Sequence, residues 1–175
     1  EVGRSKSIAA IEWAMTNGNS VFLVTQKDID MDNPGIEDLY GYGVVAEVKQ
    51  LLRVSDDLVK VIVEGRYRAK LITLESSGKF LLAGTKSAPV RPVRAADNAR
   101  AEALLRSIKE MFENYLSMNP RLPKDVVYSI LTSDNALFLS EYIPANLMFK
   151  YTDKQEILST SSLMDRLEKI LELLQ

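Results

Sequence analysis

The first residues whose types and spacing could do chemistry are Gly3-Arg4-Ser5-Lys6-Ser7, a glycine followed by two cations and two hydroxyls at the head of an apolar run. A phosphate-binding loop wraps main-chain amides around its anion, and for that it needs Gly directly before its Lys and another Gly five residues earlier. Here Ser5 precedes Lys6 and the earlier Gly is missing, so the segment reads as a helix N-terminus carrying a basic patch at Arg4 and Lys6. Asp28-x-Asp30-x-Asp32 has the spacing of the first three ligands of a calcium loop. Asn33 stands where that loop needs its turning Gly, Leu39 stands where it needs a bidentate Glu, and Pro34 intervenes, leaving a solvated acidic loop. The adjacent pairs Ser5-Lys6 and Lys86-Ser87 lie at polar edges, whereas a Ser-Lys nucleophile needs a buried lysine of depressed pKa. With no His and no Cys, histidine triads, Cys/His zinc sites and disulfides are excluded. No pair of carboxylates is singled out as an acid and a base. The expectation is a chain with no catalytic residue, no metal site and no cofactor of its own.

The elements that would position these residues fall into a strand-rich half and a helix-rich half. Ile8, Ile11 and Met15 recur at helical spacing, with Ser5 as the expected cap and Asn17-Gly18 as the left-handed stop. Trp13 is expected to pack at the rim of the core, the alternative being an exposed aromatic anchor for an unfolded chain. Val21-Phe22-Leu23-Val24 reads as a buried strand, and the polar stretch from Gln26 to Gly43 as a long surface loop. Strands are predicted at 44–54, 58–64, 67–74 and 80–83, with Ser55-Asp56-Asp57 and Ser76-Ser77-Gly78-Lys79 as turns and Gly65 as a bend or bulge. Val59, Val61 and Val63 form the apolar row of a half-buried antiparallel strand. Together these make a small twisted sheet or partly closed barrel.

Pro89 and Pro92 favour extended backbone and mark the boundary between a lobe at 1–90 and a lobe at 91–175. Beyond it, Leu104, Leu105, Ile108, Met111, Phe112 and Tyr115 form the stripe of a helix over 101–116. Four shorter helices follow: one from Pro123, one capped by Ser133-Asp134, and two opened by the capping boxes Thr152-x-x-Gln155 and Ser162-x-x-Asp165. Leu147-Met148-Phe149-Lys150-Tyr151 is apolar on every side; inter-helix core is the expected role, with an exposed binding patch as the alternative.

Composition narrows the partners. The 175 residues fit one large domain or two small lobes, and 46% apolar content supplies a core. Lys and Arg number 22 against 24 Asp and Glu, so the basic excess that carries phosphate binding is missing and nucleic acid is disfavoured. No apolar run approaches the ~20 residues of a membrane span, and no signal peptide is visible. A soluble, cytoplasmic protein is the expectation. The start at Glu1 without a methionine reads as an excised piece of a longer chain.

Taken in order, Val2 to Ile8, Pro34 to Tyr40, Val59 to Gly65 with Arg68, and Asp153 to Leu158 with Arg166-Leu167 resemble the amino-terminal domain of the bacterial ATP-dependent protease Lon. Val2-Gly3-Arg4-Ser5-Lys6-Ser7-Ile8 is similar to the family's V-G-R-x-K-S-I/V, and Pro34-Gly35-Ile36-Glu37-Asp38-Leu39-Tyr40 to its P-G-x-x-D-L/I-F/Y loop. Val59 to Gly65 with Arg68 resembles V-K-V-L-V-E-G-x-x-R, while Asp153 to Leu158 and Arg166-Leu167 resemble D-K-Q-x-[IV]-L-E and the R-L that follows. The family's first strand, P-L-R-D-x-V-x-F-P, has no counterpart, which implies an unpaired sheet edge. Met148 stands where the family usually has Pro, and Pro144 lies earlier, so the third helix is expected to kink or stop sooner.

The resemblance implies an α+β fold: a PUA-like β lobe with one helix and its first strand missing, then a helical bundle ending in the start of a longer helix. It implies capture of unfolded or damaged protein substrates and support of a homohexamer of Lon subunits. The ATPase, with its ATP and Mg, and the Ser-Lys peptidase lie outside this chain. Such capture needs exposed apolar surface, and the candidate contacts in this sequence are the apolar loop residues Met31, Ile36, Leu39, Tyr40 and Tyr42, with Arg4 and Lys6 beside them. The competing readings are a purely structural oligomerisation module, using the terminal helix over 162–175, and a stand-alone PUA-like RNA-binding domain.

Overall fold

A computed structural model describes all residues, Glu1–Gln175. The chain is α+β and divides into two compact units, Glu1–Pro89 and Val90–Gln175.

Unit 1 opens with α1 (Ser5–Thr16), whose Ile8, Ile11 and Ala14 are buried one turn apart. Its N-cap is Arg4, not Ser5, and no side chain caps it; the Arg4 carbonyl accepts from Ser7 and Ile8 instead. The stop is as the sequence implies, with Gly18 at φ +93° turning the chain out of the helix. Four antiparallel strands follow in a plain meander: β1 (Ser20–Leu23), β2 (Tyr42–Ser55), β3 (Leu58–Ser76) and β4 (Leu81–Ser87).

The two strands expected at 58–64 and 67–74 are one 19-residue strand. It stays continuous because the irregularity at Gly65 is a bulge: Val45 pairs with Tyr67 and Ala46 with Gly65, leaving Arg66 unopposed. The valine row is buried only at its start, with Val59 enclosed, Val61 half-buried and Val63 exposed. On the sheet surface Lys49 and Arg66 both pair with Glu47 and Glu64, a cross-strand ionic lattice. Gly43 lets β1 lie close to β2. A Cβ there would meet the Leu23 carbonyl oxygen at 2.2 Å and the Phe22 ring at 2.8 Å.

Unit 2 holds five helices: α2 (Asn98–Met118), α3 (Lys124–Thr132), α4 (Ala136–Asn146), α5 (Tyr151–Ser159) and α6 (Leu163–Leu174). Ile108, Phe112, Ile130, Leu139, Ile143, Leu167 and Ile170 are its fully enclosed centre. The start signals resolve unevenly. Ser162 caps α6, accepting from the Asp165 amide at 3.3 Å. Pro123 sits at the N-cap of α3, one residue before its first turn. The cap of α4 is Asn135, not Ser133-Asp134, its Oδ1 accepting from the Phe138 amide at 3.0 Å. The Thr152 box does not form, because α5 already begins at Tyr151 behind Lys150.

Pro144 lies inside α4, which ends two residues later at Asn146. Leu147 then dives into the core, whereas Met148 is 90% exposed and Tyr151 lies largely in solvent. The apolar segment 147–151 is thus divided between core and surface. Removing the α4 cap with Asn135→Ala should cost about 1 kcal/mol in urea denaturation, while Ser133→Ala and Thr152→Ala should each cost less than half of that. No helix is long and apolar enough to cross a membrane.

Candidate functional site: a stapled loop beside an apolar groove

The loop between β1 and β2 is closed at its neck by main-chain pairing. Gln26 bridges Leu39, Lys27 donates to the Asp38 carbonyl at 2.8 Å, and Tyr40 donates to that of Thr25 at 3.0 Å. Inside the neck Gln26 organises the chain, its Nε2 donating to Met31 O at 2.9 Å and Asp28 O at 3.1 Å. Asp28 Oδ1 accepts from the Asp30 amide at 2.9 Å, so one carboxylate of the acidic triplet makes a local turn.

Arg4 and Lys6 fasten this loop to the head of α1. The Arg4 guanidinium donates to Gln26 Oε1 and, at 2.7 Å, to Ile29 O; Lys6 Nζ donates to Asn33 Oδ1 at 2.6 Å. They hold up the loop. Its apolar offering is Ile29, 78% exposed, with Ile36 partly exposed further on.

Beside the loop, α1 and the sheet edges enclose an open groove of about 370 Å³. Val21 and Leu23 of β1 and Leu81 and Ala83 of β4 line it together, so the meander curls until its two outer strands face one groove. Of the seven residues predicted to touch substrate, Arg4, Lys6 and Leu39 line this groove, Leu39 as a core residue only 6% exposed. Met31 and Tyr40 are half-buried in the loop, and Ile36 is on its outer side.

Tyr42 belongs to another cluster. The Arg68 guanidinium lies 4.2 Å from its ring centroid and also donates to the Ala88 carbonyl. Burial lowers the Arg68 pKa from the usual arginine value, opposed by the Tyr42 interaction. Sequence reasoning missed Ile29, hidden in a polar stretch, and Gln26. It also passed over Arg68 except as a motif residue, although an arginine among alternating strand residues is a signal of a buried partner.

The whole chain, residues 1–175, matches the family model described as the ATP-dependent protease La (LON) substrate-binding domain. The chain belongs to that family. The Lon protease of Desulforamulus reducens is 36% identical over 97% of this chain, and that of Escherichia coli K12 is 34% identical over 99%. This Lon substrate-binding domain spans about a fifth of their length, 21% and 22% respectively. Among solved structures, the N-terminal domain of the Mycobacterium avium complex Lon protease superposes with a TM-score of 0.74 at 16% identity, covering 97% of this chain and 84% of that one. Likeness at that identity shows the fold, a curled antiparallel sheet followed by helices.

Arg4→Ala should release the loop of this Lon domain. Amide exchange at Ile29 to Met31 is expected to quicken, and stability to fall by about 1 kcal/mol for lost charged hydrogen bonds at an exposed site.

Proposed function

We propose that this chain captures unfolded or damaged protein segments for an ATP-dependent serine protease of the Lon type. The observation that carries this reading is the match of the whole chain to a family described as substrate-binding. The stapled loop and groove supply suitable chemistry. Ile29 and Ile36 offer apolar surface, and Leu23, Leu81 and Ala83 border a groove open to an extended chain. Such contacts ask for apolar side chains without a fixed order, which suits a binder of misfolded sequences. Arg4 and Lys6 act in this reading as positioning residues for the loop, and Met31, Leu39, Tyr40 and Tyr42 as its support. ATP with Mg and the Ser-Lys peptidase belong to other parts of the cytoplasmic, homohexameric protein.

The terminal helix is a weak candidate for subunit contact, since Leu163, Leu167, Ile170 and Leu174 of α6 are spent on the core of their own unit. Hexamer support therefore falls to other surfaces of this domain.

The reading is tested by NMR titration with a reduced, carboxymethylated and permanently unfolded polypeptide. Shifts should concentrate at Leu23, Ile29, Ile36 and Leu81 with micromolar or weaker affinity, and the native form of the same polypeptide should leave them unmoved. Silence at these residues, or equal binding of the native form, would sink it.

A further inference from the structure

Of 22 cationic side chains, only Arg68 and Arg166 are buried. Burying a guanidinium is costly unless its donors are used, so what these two hold is informative. Arg68, in unit 1, donates to the Ala88 carbonyl, while the Ala88 amide donates to Arg68 O at 3.0 Å. Arg166, in unit 2, donates from Nε to Thr160 O at 2.8 Å and from Nη2 to Leu158 O at 3.2 Å, which fixes the corner between α5 and α6. That same corner receives the connector: Arg91 N donates to Ser161 O at 2.7 Å, and Leu163 N donates to Arg91 O at 3.1 Å. Residue 88 is thus held by one unit and residue 91 by the other. Pro89 and Val90 make no main-chain hydrogen bond, and Val90 packs its side chain on the unit 2 core.

We propose that Arg68 and Arg166 are paired clamps that confine any swivel between the two units to two bonds, Pro89 ψ and Val90 φ. The other torsions are removed by chemistry. A residue before proline is restricted to extended backbone, proline fixes its own φ, the intervening peptide is planar, and Val90 ψ is set by the bonded Arg91. The clamps convert a flexible crossing into a short pivot with a definite axis.

The test is amide exchange and residual dipolar couplings measured on the 175-residue chain. In the unaltered protein the amides of Ala88 and Arg91 should be protected and that of Val90 should exchange far faster. Arg68→Met should speed exchange at Ala88 at least tenfold while leaving Arg91 and Leu163 unchanged. Arg166→Lys, chosen because it keeps the charge and most of the volume, should do the reverse. Each variant should widen the difference between the alignment tensors of the two units, and so should two glycines inserted after Pro89, which touch neither clamp. If the Arg68 and Arg166 variants leave both exchange and tensors unchanged, or if the glycine insertion alone widens the tensors, the clamps do not set the pivot.

Discussion

Replacing Arg166 by alanine is expected to lower the stability of unit 2 by about 4 kcal/mol, the cost of removing a buried, hydrogen-bonded guanidinium. The side chain is 2% exposed, and its Nε and Nη2 donate to Thr160 O and Leu158 O at the corner between α5 and α6. Removing it takes a charged donor from each of these carbonyls and empties a buried volume at the corner that seats Arg91. Denaturation by urea, followed by the far-ultraviolet ellipticity of the helices, is the measurement. Arg166→Lys keeps the charge but not the fork, and should cost about half as much. A midpoint for the alanine variant within ~0.5 kcal/mol of the parent would show the corner to be held by its main chain alone.

Gly43→Ala is expected to cost about 3 kcal/mol, and to do so in unit 1. The new methyl would sit 2.2 Å from the Leu23 carbonyl oxygen and 2.8 Å from Phe22. The carbonyl belongs to the strand backbone, so relief requires β1 to move away from β2, against the usual 1–3 kcal/mol range for overpacking. A matched control is Gly84→Ala, whose new methyl has its one severe contact with the Thr73 hydroxyl, at 2.2 Å, the Thr73 Cβ and backbone nitrogen lying at 3.4 and 3.7 Å. That side chain can rotate, so its cost should be smaller. Urea denaturation followed by the emission of Trp13, which lies in this unit, compares the two, and equal losses would refute the assignment of Gly43 to close strand approach.

The β-strands and long helices were legible because their apolar residues repeat at the period of the structure they form: Val59 with its neighbours in β3, and Leu105, Ile108 and Phe112 in α2. Caps were less so. Ser5, Ser133 and Thr152 each have the right chemistry one or two residues from the observed N-caps Arg4, Asn135 and Lys150, and packing of the apolar face decides the starting residue. The bulge at Gly65 was readable as an irregularity, but not that pairing resumes beyond Arg66. At the candidate site, the loop and its two flanking cations were visible in the sequence. What Arg4 and Lys6 do there was not, because their acceptors, Gln26, Ile29 and Asn33, lie more than twenty residues away. Nor does periodicity reveal that Leu39 turns inward while Ile29 turns out.

The contact between α1 and the turn before β4 has an optical consequence. Trp13 is the only tryptophan, half in solvent, with its ring 5.4 Å from that of Phe80 and tilted by 38°. Its emission therefore monitors the β-rich unit, whereas five of the six α-helices, and with them most of the ellipticity, belong to the other. One cuvette and two wavelengths then follow the melting of each half separately, with no label attached, and tell whether they come apart together or in turn.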